Sequence, residues 1–248
     1  MSRYFIEVSY KGTAYAGFQV QQNALTVQEE MEKALEIYFR QKIMLTGSSR
    51  TDTGVHALQN YFHFEIDGEI GGAKVYNLNA LLPGDIAIRS LRKMRPEAHC
   101  RFDAVARRYG YTIYRRKNPF IADRAYYYPY TLDMGVMKEV AEVVKEYAEF
   151  EAFSKRNTQV KTYACRIMES EWVEEGEVKI YRVKANRFLR GMVRGLVGTM
   201  LLAGRGRISV GRFREIIEKK EQCSVDFSVP GHGLCLEGVE YGEGYFGL

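Results

Sequence analysis

GSSRTDTGVHA, residues 47–57, lies between a helical pattern and an alternating one and so reads as a loop. It sets Arg50, Asp52 and His56 among small residues, with Gly54 near its end. Small residues and glycine let a backbone approach a ligand closely. An aspartate there, two positions from Arg50, has two readings. It is a nucleophile held ionised by a neighbouring cation, or an Asx-turn that only shapes the loop.

Working outward, Thr26 and Glu29 form a capping box ahead of Val27, Met31, Ala34, Leu35 and Tyr38. A helix is expected from there to about Gln41. Upstream, Arg3–Tyr10 alternates, with Tyr4, Ile6, Val8 and Tyr10 on one face of an opening strand. The Gly-containing loop KGTAYAGFQVQQNAL (11–25) joins the two. Downstream, Asn60–Ile66 reads as a strand with Phe62, Phe64 and Ile66 inward. Ala73–Leu82 reads as a short helix stopped by Pro83, and Ala106–Arg116 as a long strand. Met134–Ala148, Leu189–Ala203 and Ser209–Lys220 have helical spacing. Tyr163–Val173 and Val178–Ala185 form a hairpin across EEGE, and Leu234–Tyr241 closes as a strand. This order predicts an α+β fold with largely antiparallel sheet. Strand–helix–strand units in each half place a boundary near 105, giving domains 1–105 and 106–248. The halves are expected to share a continuous sheet or a tight cleft.

The composition excludes a disordered chain: 46% of the 248 residues are hydrophobic and 27% charged. A net charge of +5 is compatible with a polyanion but does not require one. Seven arginines (187, 190, 194, 205, 207, 212, 214) and no acid fall between Asn186 and Arg214. Six basic residues against Asp103 fall between Arg101 and Lys117, and Lys138–Glu151 is acidic. Such segregation points either to one basic face or to scattered solubilising charge. Arg187, Arg190 and Arg194, at i, i+3 and i+7, read as one stripe of the Leu189–Ala203 helix. Gly191, Gly195 and Gly198 in that helix indicate close backbone packing. Cys100, Cys165, Cys223 and Cys235 form no CxxC pair and no zinc spacing with histidine, so free thiols, mostly buried, are expected and no metal. No apolar run reaches the roughly 18 residues of a membrane span. The start MSRYFIEVSY is too short and alternating for a signal peptide, and a reducing cytoplasm fits.

SSRTDTGVHA resembles the GRTDAGVHA motif of the TruA pseudouridine synthases. It departs at Thr53, where the family usually has Ala, and at Ser49, where Gly is usual. YKGTAYAGFQVQ, LNALLPGDIAI, RFDAVARRYGYTIY, NRFLRGMVRGLVGTML and VPGHGLCLEGVEY resemble further family segments in the same order. AEFEAFSKR stands where the family often shows an HDF-like run. The resemblance covers nearly the whole chain.

The resemblance implies a pseudouridine synthase fold: two RRM-like α/β halves with largely antiparallel sheet around a central basic cleft. It implies that the N1–C1′ bond of an RNA uridine breaks and that the uracil rejoins through C5. Atoms are conserved, so no cofactor is needed. The family's catalytic aspartate corresponds to Asp52, which attacks C1′ or assists its deprotonation. Its active-site tyrosine corresponds to Tyr109, its helix arginine paired with the aspartate to Arg194, and its base-contacting apolar residue to Leu234. Read from pattern alone, Tyr109 and Leu234 would be core residues and Arg194 part of a solvated basic face. Arg50, His56, Arg108, Arg187 and Arg190 are expected to contact RNA, while His56 and His63 also read as structural. Tyr109, Tyr111 and Tyr114, beside arginines, suit stacking. The family implies a tRNA partner with uridines 38, 39 and 40 of the anticodon arm as targets, and a homodimer. Two other readings stay open. One is a silent tRNA-binding chaperone of this fold. The other is a hydrolase, which needs a second carboxylate; Glu65 and Asp67 are the candidates near in sequence.

Overall fold

The computed structural model describes residues 1–71, 75–155 and 160–247. Backbone contacts divide it into two units, Met1–Val105 with Leu236–Leu248, and Ala106–Cys235. The fold is α+β with largely antiparallel sheet.

The first unit opens with β1 (Ser2–Tyr10) and α1 (Val27–Phe39). It continues through β2 (Thr46–Gly47), β3 (His56–Ile66), α2 (Val75–Asn79) and β4 (Ile86–Met94), and takes most of β9 (Leu234–Tyr241). Its strand order is β4-β1-β3-β9, with β2 on β3. β1 runs antiparallel to both neighbours, with Tyr4 opposite Phe64 and Ile6 opposite Leu91. Thr26 caps α1 by accepting the Glu29 N–H at 3.3 Å. The helix stops at Phe39 because Arg40 turns left-handed, at φ 54°. Phe5 is buried although it faces away from Tyr4 and Ile6. The C-terminal rings Tyr241, Tyr245 and Phe246 cover that side, 6.0–6.3 Å from Phe5. They hold residues 236–248 with the first unit, although the sequence reading places these with 106–248. β4 escapes the sequence reading because Arg89, Arg92 and Lys93 interrupt its apolar alternation. Its outer position in this order explains them: charged side chains blunt a sheet edge. Ala73, in the expected short helix, lies outside the described residues.

The second unit takes nearly all of β5 (Ala104–Tyr114), then β6 (Tyr126–Tyr127), α3 (Met134–Val144), β7 (Ile167–Glu175) and β8 (Val178–Ala185). α4 (Met192–Gly204) and α5 (Val210–Glu218) follow. Its strand order is β5-β8-β7, and β6 pairs with β5 in parallel. The β7–β8 hairpin turns through Gly176, at φ 60°. α3 is tied to β7 by Ser170 Oγ donating to Ala141 O at 2.7 Å. α4 meets the same strand through Trp172 Nε1 and Met200 Sδ, 3.3 Å apart. α3 and α4 approach closely at Gly204, where a Cβ would lie 2.7 Å from Met137 Sδ. α4 begins at Met192 rather than Leu189, because Gly191 at φ 75° is its N-cap. Arg187 and Arg190 therefore precede the helix, and the expected three-arginine stripe does not form.

Candidate active site

In the first unit, β2 and the start of β3 hold the Asp52 loop between them, so both ends of the 47–57 run are strand. The loop packs backbone to backbone on residues 12–18. Phe18 N–H donates to Thr51 O at 3.1 Å, and Gly54 N–H to Tyr15 O at 3.3 Å. Thr53 Oγ1 donates to Ala16 O at 3.1 Å, and Gly12 N–H to His56 Nδ1 at 3.0 Å. Glycine is required at this contact: a Cβ on Gly12 would lie 2.0 Å from Val55 O. Gly17 combines φ 114° with a would-be Cβ 2.9 Å from Thr51 O.

A buried polar set fixes the approach to Asp52. Asn60 Nδ2 donates to Ser49 O at 2.8 Å and to Tyr10 Oη at 3.3 Å. Tyr10 Oη lies 2.8 Å from Thr51 Oγ1. Ser49, Thr51, Val55 and His56 are buried, Asp52 is half-buried and Arg50 is exposed. The turn itself is closed by the backbone, through Val55 N–H donating to Asp52 O at 3.1 Å. His56 is buried and accepts from a backbone amide through Nδ1, so in neutral imidazole its proton sits on Nε2. The Tyr10–Asn60–Thr51 set is not visible as a pattern. Its members lie on two strands and a loop, and only strand pairing joins them.

The second unit carries Tyr109, Arg108, Arg187, Arg190, Arg194 and Leu234. Tyr109 stands on β5 opposite Val183 of β8, with its ring edge-on to Phe188 at 5.2 Å. Arg194, in the first turn of α4, donates from Nε to Val229 O at 2.8 Å. This binds the helix to the 227–230 segment. Tyr111 binds the same segment, donating to Pro230 O at 2.8 Å. Burial drives the Tyr111 phenol far up, so it stays a donor. Its ring also lies 2.6 Å from the place of a Gly233 Cβ, one residue before the buried Leu234. Tyr111 was expected to stack on RNA and instead supports the Leu234 turn. Tyr114 is likewise buried, its ring packed against Tyr127 at 5.5 Å. Arg108 pairs with Glu169 at 2.9 Å, Arg187 is half-buried and Arg190 is exposed.

The expected basic face is partly neutralised. Arg212 pairs with Glu215 and Glu221, and Arg214 pairs with Glu146 of the acidic segment. The hydrolase candidates lie toward the far end of β3 from His56, the end of the loop at which the Asp52 turn closes. Glu65 pairs with Arg3 nine residues along β3 from His56, about 30 Å at strand rise; Asp67 follows the end of that strand. All four cysteines are free, but Cys223 is exposed and Cys235 half-buried. His63, His99 and Cys100 bring their ligating atoms within 4.8 Å of one another. His63 Nδ1 lies 3.2 Å from Cys100 Sγ. His99 Nδ1 accepts from the Arg101 and Phe102 amides at 3.2 and 3.3 Å. Its other nitrogen then carries the proton and has no lone pair for a metal. Among the described residues no helix is long and apolar enough to cross a membrane.

The family model described as tRNA pseudouridine synthase matches residues 6–103 and 148–242. Among curated relatives, the tRNA pseudouridine synthase A of Parabacteroides distasonis is 43% identical over 248 residues, covering 99% of this chain and 98% of its own. That of Bacteroides fragilis is 43% identical over 249 residues, covering 99% of each. That of Staphylococcus aureus strain Newman is 35% identical over 244 residues, covering 97% of this chain and 91% of its own. Matches of this extent, on a loop and helix built as described, make the chain a member of the TruA family of tRNA pseudouridine synthases, which are isomerases.

Proposed function

We propose that this enzyme converts uridine to pseudouridine at positions 38, 39 and/or 40 of the tRNA anticodon stem-loop, with Asp52 as its nucleophile. The carboxylate attacks ribose C1′ of a flipped uridine, and the N1–C1′ bond breaks with its electron pair going to uracil. The uracil turns and C5 bonds to C1′ as the carboxylate leaves. The C5 proton then passes to a base, and N1 gains a proton from solvent. Tyr109 lies against the flipped base and is the candidate acceptor of the C5 proton. Arg194 orients the carboxylate, and Leu234 contacts the uracil. Arg50, Arg187 and Arg190 serve RNA binding, whereas Arg108 is paired with Glu169 and His56 is buried against the Gly12 amide. The protein works as a cytoplasmic homodimer.

One observation carries this reading. Asp52 is half-buried in a loop whose residues Thr51 and Val55 are buried and whose Thr51 and Gly54 are bonded to a second backbone segment. That construction fixes a carboxylate in place and leaves it reachable, as nucleophilic catalysis requires. Family membership supports the reaction, and the family motif supports the residue. The reading is tested by tritium release from C5-labelled uridine in unmodified tRNA. Wild-type protein should release tritium, and Asp52→Ala should not, while still binding tRNA. Free uracil among the products would indicate a hydrolase. tRNA binding without release by the wild type would indicate a silent chaperone.

A further inference from the structure

We infer that the second unit carries a tRNA-contacting platform apart from its candidate catalytic residues, built by Tyr130 and Arg205 with Tyr127 and Arg115 beside them. The Arg205 guanidinium carbon lies 3.9 Å from the centre of the Tyr130 ring. Tyr130 is 49% exposed and stands edge-on to the buried Tyr128 at 5.1 Å. Arg115 Nη2 donates to Thr131 Oγ1, one residue on, at 3.0 Å. Tyr127, 43% exposed, rests on the buried Tyr114 at 5.5 Å, where β6 pairs with the end of β5. The rings are thus held out by a strand and by buried neighbours.

Charge points to the occupant. Among the described residues no carboxylate pairs with Arg115 or Arg205. In the same unit Arg108, Arg182, Arg212 and Arg214 each pair with a glutamate. Unneutralised guanidinium groups beside half-exposed aromatic rings match RNA, with phosphates for the cations and unstacked bases for the rings. A cation at the end of α4 also suits the helix dipole, but that leaves the exposed tyrosines without a reason.

Two internal rulers separate this platform from the catalytic candidates. Arg205 follows Arg194 by eleven residues along α4, about 16 Å at helical rise. Tyr127 pairs at Tyr114, five residues from Tyr109 on β5, again about 16 Å. A nucleotide bound at Tyr109 and Arg194 would not reach it, whereas the body of a tRNA would. The inference takes its RNA from the proposed function, and its test does not need turnover.

Binding of unmodified full-length tRNA, measured by fluorescence anisotropy at two salt concentrations, decides it. Tyr130→Ala and Arg205→Ala should each raise Kd several-fold. The triple variant with Arg115→Ala should do so more than tenfold and reduce the salt slope by about 1 to 2. Tyr130→Phe and Arg205→Lys should recover most of the affinity, and thermal midpoints should stay near that of the wild type. Folded variants that bind tRNA as the wild type does overturn the platform, including the case in which this surface serves a protein partner. Wild-type protein that binds tRNA without releasing tritium would end the isomerase reading and leave this test standing.

Discussion

Thr51 is bonded at two atoms just before the candidate nucleophile: its carbonyl takes the Phe18 N–H and its hydroxyl meets Tyr10 Oη. The position of Asp52 is therefore set by groups that need never touch substrate. Tyr10→Phe removes one hydroxyl from this buried set and leaves the Thr51 hydroxyl and one Asn60 N–H short of a partner. The expected cost is about 1–2 kcal/mol of stability. The single-turnover rate should fall on the order of tenfold, because small displacements of a reacting group are expensive. Affinity for tRNA should hold, so a rate unchanged at full occupancy would show that the set serves folding alone. Arg194 is held in a similar way, its Nε spent on Val229 O. Arg194→Ala should lower turnover more than tRNA affinity, and equal losses would count against a role beside the carboxylate. Arg194→Lys should recover little, since a lysine lacks the planar fork that serves two directions at once.

α4 carries Arg194, and its glycines explain its packing. A Cβ on Gly198 would lie 2.1 Å from Asp226 O, a backbone atom with little room to give, and one on Gly195 would lie 2.8 Å from the Phe227 ring. Gly198→Ala should therefore destabilise by roughly 1–3 kcal/mol despite alanine's better helix propensity. A thermal midpoint equal to or above the wild type's would refute the close-packing argument. These glycines were legible in the sequence, as were the Thr26 cap of α1 and both ends of β9, because caps and apolar alternation are local signals. Other features were not. The break ahead of α4 depends on the positive φ of Gly191, and spacing alone ran Arg187, Arg190 and Arg194 into one helix. β4 was hidden by its own edge charges. The roles of Tyr111 and Asn60 depend on partners 119 and 50 residues away, which no pattern in the chain announces. Thr53 was legible only as a departure from the family motif. Its hydroxyl forms one more bond to the 12–18 segment, where an alanine would form none.

For the whole molecule, charge and burial make stability depend on pH. Basic and acidic segments that look segregated in sequence meet in the fold, as Arg214 and Glu146 do, so surface charge adds little net bias. The larger effect comes from His63, buried on β3 against Phe5 and Cys100. Burial, reinforced by His99 and Arg3, pushes its pKa from 6.5 down to about 4. Above pH 6.5 the ring is neutral whether the chain is folded or unfolded, and its contribution to stability is complete. Between pH 6.5 and about 4 the unfolded chain takes up a proton that the folded chain refuses, so stability falls as pH falls. Burial shifts His99 in the same direction. The loss from His63 alone should approach about 2 kcal/mol by pH 5 and level off near 3 kcal/mol below pH 4. Urea unfolding at pH 7.5 and pH 5.0 measures it directly. His63→Phe keeps an aromatic ring against Phe5 and cannot titrate, so its midpoint should change much less between the two pH values. If wild type and variant lose stability in parallel, the acid sensitivity lies elsewhere and His63 is protonated in the fold as readily as in the open chain.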